Sequence, residues 1–174
     1  MKKYLIKSVS ISIFILGFIG CETLPDATVD VSPTYPISGE WWVNYKINGK
    51  DSLLLGWNRL LTSNTAANIS TEILITGKTR LFDFTFKSTS DIGQKTFSVS
   101  NSPNLAAISK QYFNNFTVQN GKVIVNGTHS ITNVVTDSIY FELLVDDPTK
   151  LGLAAGTKLI VSGKRRTGFP ADDY

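Results

Sequence analysis

Beyond residue 38, apolar and polar residues alternate with the two-residue period of strands, not the 3.6-residue period of helices. The alternation is clearest where Phe82, Phe84 and Phe86 share one face and Asp83, Thr85 and Lys87 the other. Thr96 to Ser100 repeats it with Phe97 and Val99, and Ser138 to Val145 sets Ile139, Phe141, Leu143 and Val145 on one side. Trp41 to Ile47, Ser52 to Thr62, Ile69 to Thr76, Phe113 to Gln119, Lys122 to Gly127 and Thr157 to Lys164 have the β-branched and aromatic content of further strands. Asn48-Gly49 and Asn120-Gly121 are expected to close tight hairpins. Asn101 to Lys110 could form one short helix capped by Asn101 or Ser102, and Leu151 to Ala155 is undecided.

Nine or ten short strands at regular spacing, with at most one or two short helices, predict an all-β antiparallel barrel or sandwich. A barrel of about eight or more strands can hold a small ligand among its inward side chains. Phe82, Phe84, Phe86, Phe97 and Phe141 are the candidate ligand-binding residues, together with Val99, Phe116, Val118 and Leu143. The same rings could equally pack on one another and leave no space.

The start of the chain follows a different pattern. Lys2, Lys3 and Lys7 precede an apolar run from Val9 to Ile19, which ends at Gly20 and Cys21, the one cysteine present. This is the anatomy of a secretory leader, too short to span a membrane. Ile19-Gly20-Cys21 resembles the lipobox of bacterial lipoproteins, with Phe18 where that box usually has Leu. The resemblance implies cleavage before Cys21 and acylation of its thiol, which would anchor the protein in the cell envelope. Two or three acyl chains supply the double signal that stable anchoring needs. The expected organisation is a leader over residues 1–20, a lipidated cysteine and flexible tether over 21–37, and a barrel domain over 38–174.

Tether acids Glu22, Asp26 and Asp30 resemble the surface-export signals of some Bacteroidota lipoproteins without being clustered. The outer membrane is the expected location, with the periplasmic and surface faces both open. Three of the seventeen basic residues fall in the leader and none of the fourteen acids does, so the remainder is neutral. No basic stripe is present, and nucleic acid is not an expected partner.

Gly39-Glu40-Trp41 opens the first strand, and Lys164-Arg165-Arg166 closes the last. The pairing resembles the calycin or lipocalin arrangement, in which a Gly-x-Trp tryptophan plugs the closed end beneath a basic residue. The resemblance implies a plug of Gly39, Trp41 and Arg165 or Arg166, held by a cation on an aromatic face. Pro33 to Val43, Leu60 to Asn68 and Ser162 to Gly168 resemble the lipid-binding putative hydrolase family of Bacteroidota lipoproteins. That resemblance implies a lipid or other apolar small molecule as partner and leaves hydrolysis open.

Catalytic chemistry is not legible. His129 is the one histidine, its neighbour Ser130 would face the other way on a strand, and no Gly-x-Ser-x-Gly elbow is present. One histidine and a lipidated cysteine do not make a zinc set, and Asp146-Asp147 lacks a calcium-loop pattern. No cofactor is expected, and catalytic residues stay unassigned. Glu72, Asp83 and Glu142 are the strand acids to compare for a glycosidase pair. Trp41, Trp42, Trp57, Tyr45, Tyr112 and Tyr140 offer a second binding reading, a glycan-stacking platform, and an accessory role beside a protein partner is a third.

Overall fold

The structure, a computed structural model, describes residues 31–106 and 112–174. The leader, Cys21, most of the tether and the end of the Asn101 to Lys110 segment lie outside these residues. Ser32–Tyr174 forms one compact unit.

Eight strands run in order: β1 (Gly39–Ile47), β2 (Leu53–Asn64), β3 (Glu72–Lys78), β4 (Asp83–Asp91), β5 (Thr96–Pro103), β6 (Asn115–His129), β7 (Val135–Val145) and β8 (Leu159–Arg165). Each pairs antiparallel with the next, and β1 pairs with β8, so the sheet closes into an up-and-down barrel. Closure removes the free edges of an open sheet. Among the described residues the helical elements are three short 3-10 turns, Tyr35–Ile37, Pro148–Leu151 and Pro170–Asp172.

Two departures from the sequence reading have local causes. Asn120-Gly121 is not a hairpin. It is a bulge inside one fifteen-residue strand. Asn120 takes φ of 55°, and β6 shifts register against β7 between Gln119 and Lys122. Any Cβ on Gly121 would collide with the Phe97 carbonyl and ring. The positive φ and missing side chain that a tight turn would need serve a bulge instead. Two expected strands thereby become one. Asn101–Pro103 likewise extends β5 instead of capping a helix, with Ser102 paired to Phe116 and its hydroxyl donating to the Lys87 carbonyl at 2.8 Å.

The barrel unit begins at Ser32, within the stretch read as tether. Thr34 and Ile37 are fully buried, and Thr62 Oγ1 donates to the Ile37 carbonyl at 2.7 Å. These contacts seat the first 3-10 turn against the base of the barrel.

Inward residues fill the interior. Tyr45, Phe82, Phe84, Phe86, Phe113, Phe116 and Phe141 carry no exposed surface, and Phe97 almost none. Phe84 stacks on Phe86 at 5.6 Å between centroids and Phe86 on Phe116 at 5.1 Å, while Phe97 meets Phe141 edge-on at 5.7 Å. Phe113, just ahead of β6, packs edge-on against Phe82 at 5.3 Å. A void that admits water leaves accessible surface on the side chains around it. These rings carry none, so they are packed as a protein core.

Candidate functional site

At the closed end Trp41 is fully buried, and its indole N–H donates to Thr62 Oγ1 at 2.9 Å. Register places Trp41 opposite Arg165, whose guanidinium carbon lies 4.4 Å from the Trp41 ring centroid. Arg165 also donates to the Ser38 carbonyl at 2.6 Å and to Asp137 at 3.0 Å. A Cβ on Gly39 would collide with the same guanidinium, so glycine leaves room for it. Arg166, the other candidate for the plug, takes the opposite face, where it pairs with Glu40 at 3.1 Å and with Asp173.

The five phenylalanines read as ligand-binding all point inward. Their rings occupy one another's space, and a ligand among them would have to displace side chains. The residue order left a ligand cavity and packing of these rings on one another equally open, and the ring contacts match the packing.

A groove of about 540 Å³ runs over the outer wall of β1, β2 and β3. Strand alternation builds it: Trp57, Arg59 and Leu61 share the outer face of β2, with Trp42 beside Arg59 across β1 and Thr76 beside Leu61 across β3. Trp57 and Leu61 are exposed, while Trp42 is nearly covered. Glu40, Arg59 and Lys78 stand at the rim. Hydrogen bonding from Arg59, aided by Arg166, holds the Glu40 carboxyl below its usual range against the smaller effect of burial. A hollow of about 690 Å³ between β4, β5 and the Asn120–Lys122 bulge is larger. Its walls are mainly hydroxyls, Asp91 and Lys122, with Phe97 the one aromatic side chain among them. The β1–β3 groove combines aromatic walls with rim cations, which suits an amphiphile.

The C-terminal segment packs against two of the groove's residues, Trp42 and Trp57. Tyr174 stacks on Trp57 with centroids 4.4 Å apart and meets Trp42 edge-on at 5.7 Å. Lys164 Nζ lies 5.4 Å from the Trp57 ring and 5.1 Å from that of Tyr174. Trp42 Nε1 donates to Asp173 at 3.1 Å. Asp172 secures the segment by accepting from Thr132 N at 2.7 Å and Thr167 Oγ1 at 2.7 Å. Burial pushes the Asp172 carboxyl up, but hydrogen bonds from Thr167, Thr132 and Ser130 outweigh it and hold the pKa at about 2.

The six aromatics considered as one glycan platform divide between surfaces. Trp41 and Tyr45 lie inside, Trp42 and Trp57 outside on β1 and β2, Tyr140 outside on β7 beneath Lys122, and Tyr112 half-buried ahead of β6, where its hydroxyl donates to the Asn104 carbonyl at 3.4 Å. His129, Ser130 and Asp137 do not converge on a catalytic geometry. The His129 side chain is exposed, Ser130 Oγ bonds Thr132 Oγ1 and Val134 N within its own turn, and Asp137 serves Arg165 and Asn126. Asp146 accepts from the Asn114 backbone and side chain, and Asp147 caps the Pro148–Leu151 turn. Glu142 pairs with Lys158 and Glu72 with Lys87. Among the described residues no group of three or more His, Cys, Asp and Glu is placed to hold a metal ion.

The groove was not singled out from the sequence: the alternation Trp57-x-Arg59-x-Leu61 is the signal that could have shown one strand face, while nothing local marks Tyr174 as its neighbour.

The fold defines a closed, eight-stranded, calycin-like antiparallel barrel with a packed interior and an amphiphilic groove on its outer wall. The chain belongs to the lipid-binding putative hydrolase family, whose profile matches residues 26–170. Comparison with curated proteins found no match. The family and the barrel together fit a lipid-binding role.

Proposed function

We propose that the protein is an envelope lipoprotein, anchored through acylated Cys21, that binds an amphiphilic lipid along its outer wall. The acyl part lies on Trp42, Trp57 and Leu61, and an anionic head meets Arg59 and Lys78. The observation that carries this reading is an open groove with aromatic walls and rim cations on a barrel whose interior is full. Each methylene taken out of water there contributes about 0.8 kcal/mol.

Tryptophan position makes the reading testable, because Trp41 lies inside the barrel while Trp42 and Trp57 line the groove. Titration with a brominated fatty acid should quench emission saturably in the wild type and in Trp41→Phe. In a Trp42→Phe/Trp57→Phe double variant, the remaining Trp41 emission should stay unchanged. Quenching of that lone Trp41 would move the ligand into the barrel. No quenching in any of the three would end the lipid-binding reading.

A further inference from the structure

We infer that the closed end of the barrel is a bilayer-facing surface, on which the protein sits through the apolar tip of the β6–β7 hairpin. The inference rests on the Cys21 anchor proposed above and adds how the anchored domain is oriented.

In strand register the tip is a two-stranded ribbon that continues the barrel wall at its end. Strand β6 pairs with β5 only as far as Lys122, and β7 pairs with β8 only from Ser138. Past Ile124 and Ser138 the two strands pair with each other, through Thr128 with Thr136 and His129 with Val135, and β8 holds the ribbon's root: Thr136 Oγ1 donates to the Arg165 carbonyl at 3.2 Å and Lys164 Nζ to the His129 carbonyl at 3.4 Å. A two-stranded ribbon in water has no core of its own and is expected to be polar. This one carries no Asp, Glu, Lys or Arg from Val123 through Thr136. Val125, Ile131 and Val135 are each more than half exposed, as are Tyr35 and Phe169 nearby.

These five side chains belong to one end of the molecule. Tyr35 and Val125 wall the same hollow beside Arg165. Thr132, next to Ile131, donates from its backbone and hydroxyl to Asp172, and the Asp172 N–H bonds the Phe169 carbonyl at 2.9 Å. Arg165 joins them to the Trp41 plug. Exposed apolar groups gathered at one end mark an interaction surface.

The length of chain outside the structure selects the occupant. The described unit starts at Ser32, beside this end, with Ile37 joined through Thr62 to Trp41. Ten residues lie between Cys21 and Ser32, eleven Cα steps, a reach of at most about 40 Å at 3.3–3.6 Å each. An acyl chain on Cys21 therefore keeps the bilayer within reach of the apolar tip. Uncharged Val and Ile side chains suit the headgroup–acyl boundary, about 5–10 Å deep, and Lys164 and Lys95 suit the headgroups above it.

Acylation of Cys21 leaves no free thiol, so one introduced cysteine can be labelled cleanly. The full acylated protein would be reconstituted in phosphatidylcholine vesicles with a polarity-sensitive fluorophore on Ile131→Cys or, at the opposite end, on Leu53→Cys. The expected result is a blue shift at position 131, with most of its emission lost to brominated lipid, and no change at position 53. Quenching at 53 instead, or at neither site, overturns the inference. So does shielding of 131 from aqueous iodide without lipid quenching, which would mean a second copy of the chain covers the tip. The anchor is read separately, from the acyl mass on Cys21. A protein lacking that mass whose position 131 is still quenched keeps the inference and loses the anchor.

Discussion

The Arg165 guanidinium lies over the Trp41 ring, 4.4 Å from its centroid, joining the last strand to the first at the base of the barrel. A cation over a partly desolvated indole contributes about 0.5–2 kcal/mol. Arg165 also serves Ser38 and Asp137, and each hydrogen bond adds roughly 1 kcal/mol. Arg165→Ala should therefore cost about 1–3 kcal/mol in urea unfolding. Arg165→Lys should recover part of that, because lysine keeps the charge but not the planar fork. An alanine variant as stable as wild type would show that the contact contributes nothing net.

Gly121 is required by a close approach. Alanine there would press into the Phe97 carbonyl and ring, and Gly121→Ala is expected to cost about 1–3 kcal/mol. Gly56, whose added Cβ would meet nothing within 4 Å, is the control: Gly56→Ala should stay within about 0.5 kcal/mol. Equal stabilities for the two variants would contradict the bulge packing.

Tyr45 is fully buried, and its hydroxyl is the one buried side-chain polar atom without a hydrogen-bond partner among the described residues. Burial pushes the phenol pKa up. An unsatisfied hydroxyl in a packed interior costs about 1–3 kcal/mol, so Tyr45→Phe should raise the urea midpoint by an amount equivalent to about 1 kcal/mol. A lower midpoint would reveal a partner for the hydroxyl, such as an interior water.

Asp172 makes the C-terminal segment acid-sensitive. Its pKa is lowered from an ordinary value of 3.8 to about 2 by the hydrogen bonds it accepts. Because the folded value lies below the unfolded one, the stabilisation is full above about pH 4 and is lost as the pH falls toward 2. Near-UV circular dichroism, which reports Tyr174 stacked on Trp57, should show a step in that range that is absent from Asp172→Asn. A flat wild-type signal down to pH 2 would mean that Asp172 does not hold the segment.

Much of the fold was readable because strand alternation is local. Phe82, Phe84 and Phe86 disclosed their shared face through spacing alone, and Asn48-Gly49 lies in the β1–β2 connection, with Gly49 at φ 79°. Asn120-Gly121 misled because the same dihedral freedom serves a turn or a bulge. Flanking strands choose between them, and β5 and β7 lie beside β6 on both sides of that point. Of the site, the alternation on the outer face of β2 was there to read, but the Tyr174 stacking was not, since it joins residues 117 positions apart.

Residue order by itself determined an all-β chain and the inward and outward faces of its strands. Those properties depend on neighbours one or two positions away, where the alternation of Cβ directions acts. Tertiary structure alone decided that the barrel has eight strands, that Arg165 and not Arg166 lies over Trp41, and that the aromatic interior is full. Register between β1 and β8 settles the arginine. Whether a barrel is hollow depends on the summed volume of side chains from eight strands and from Phe113 outside them, a quantity carried by no single segment.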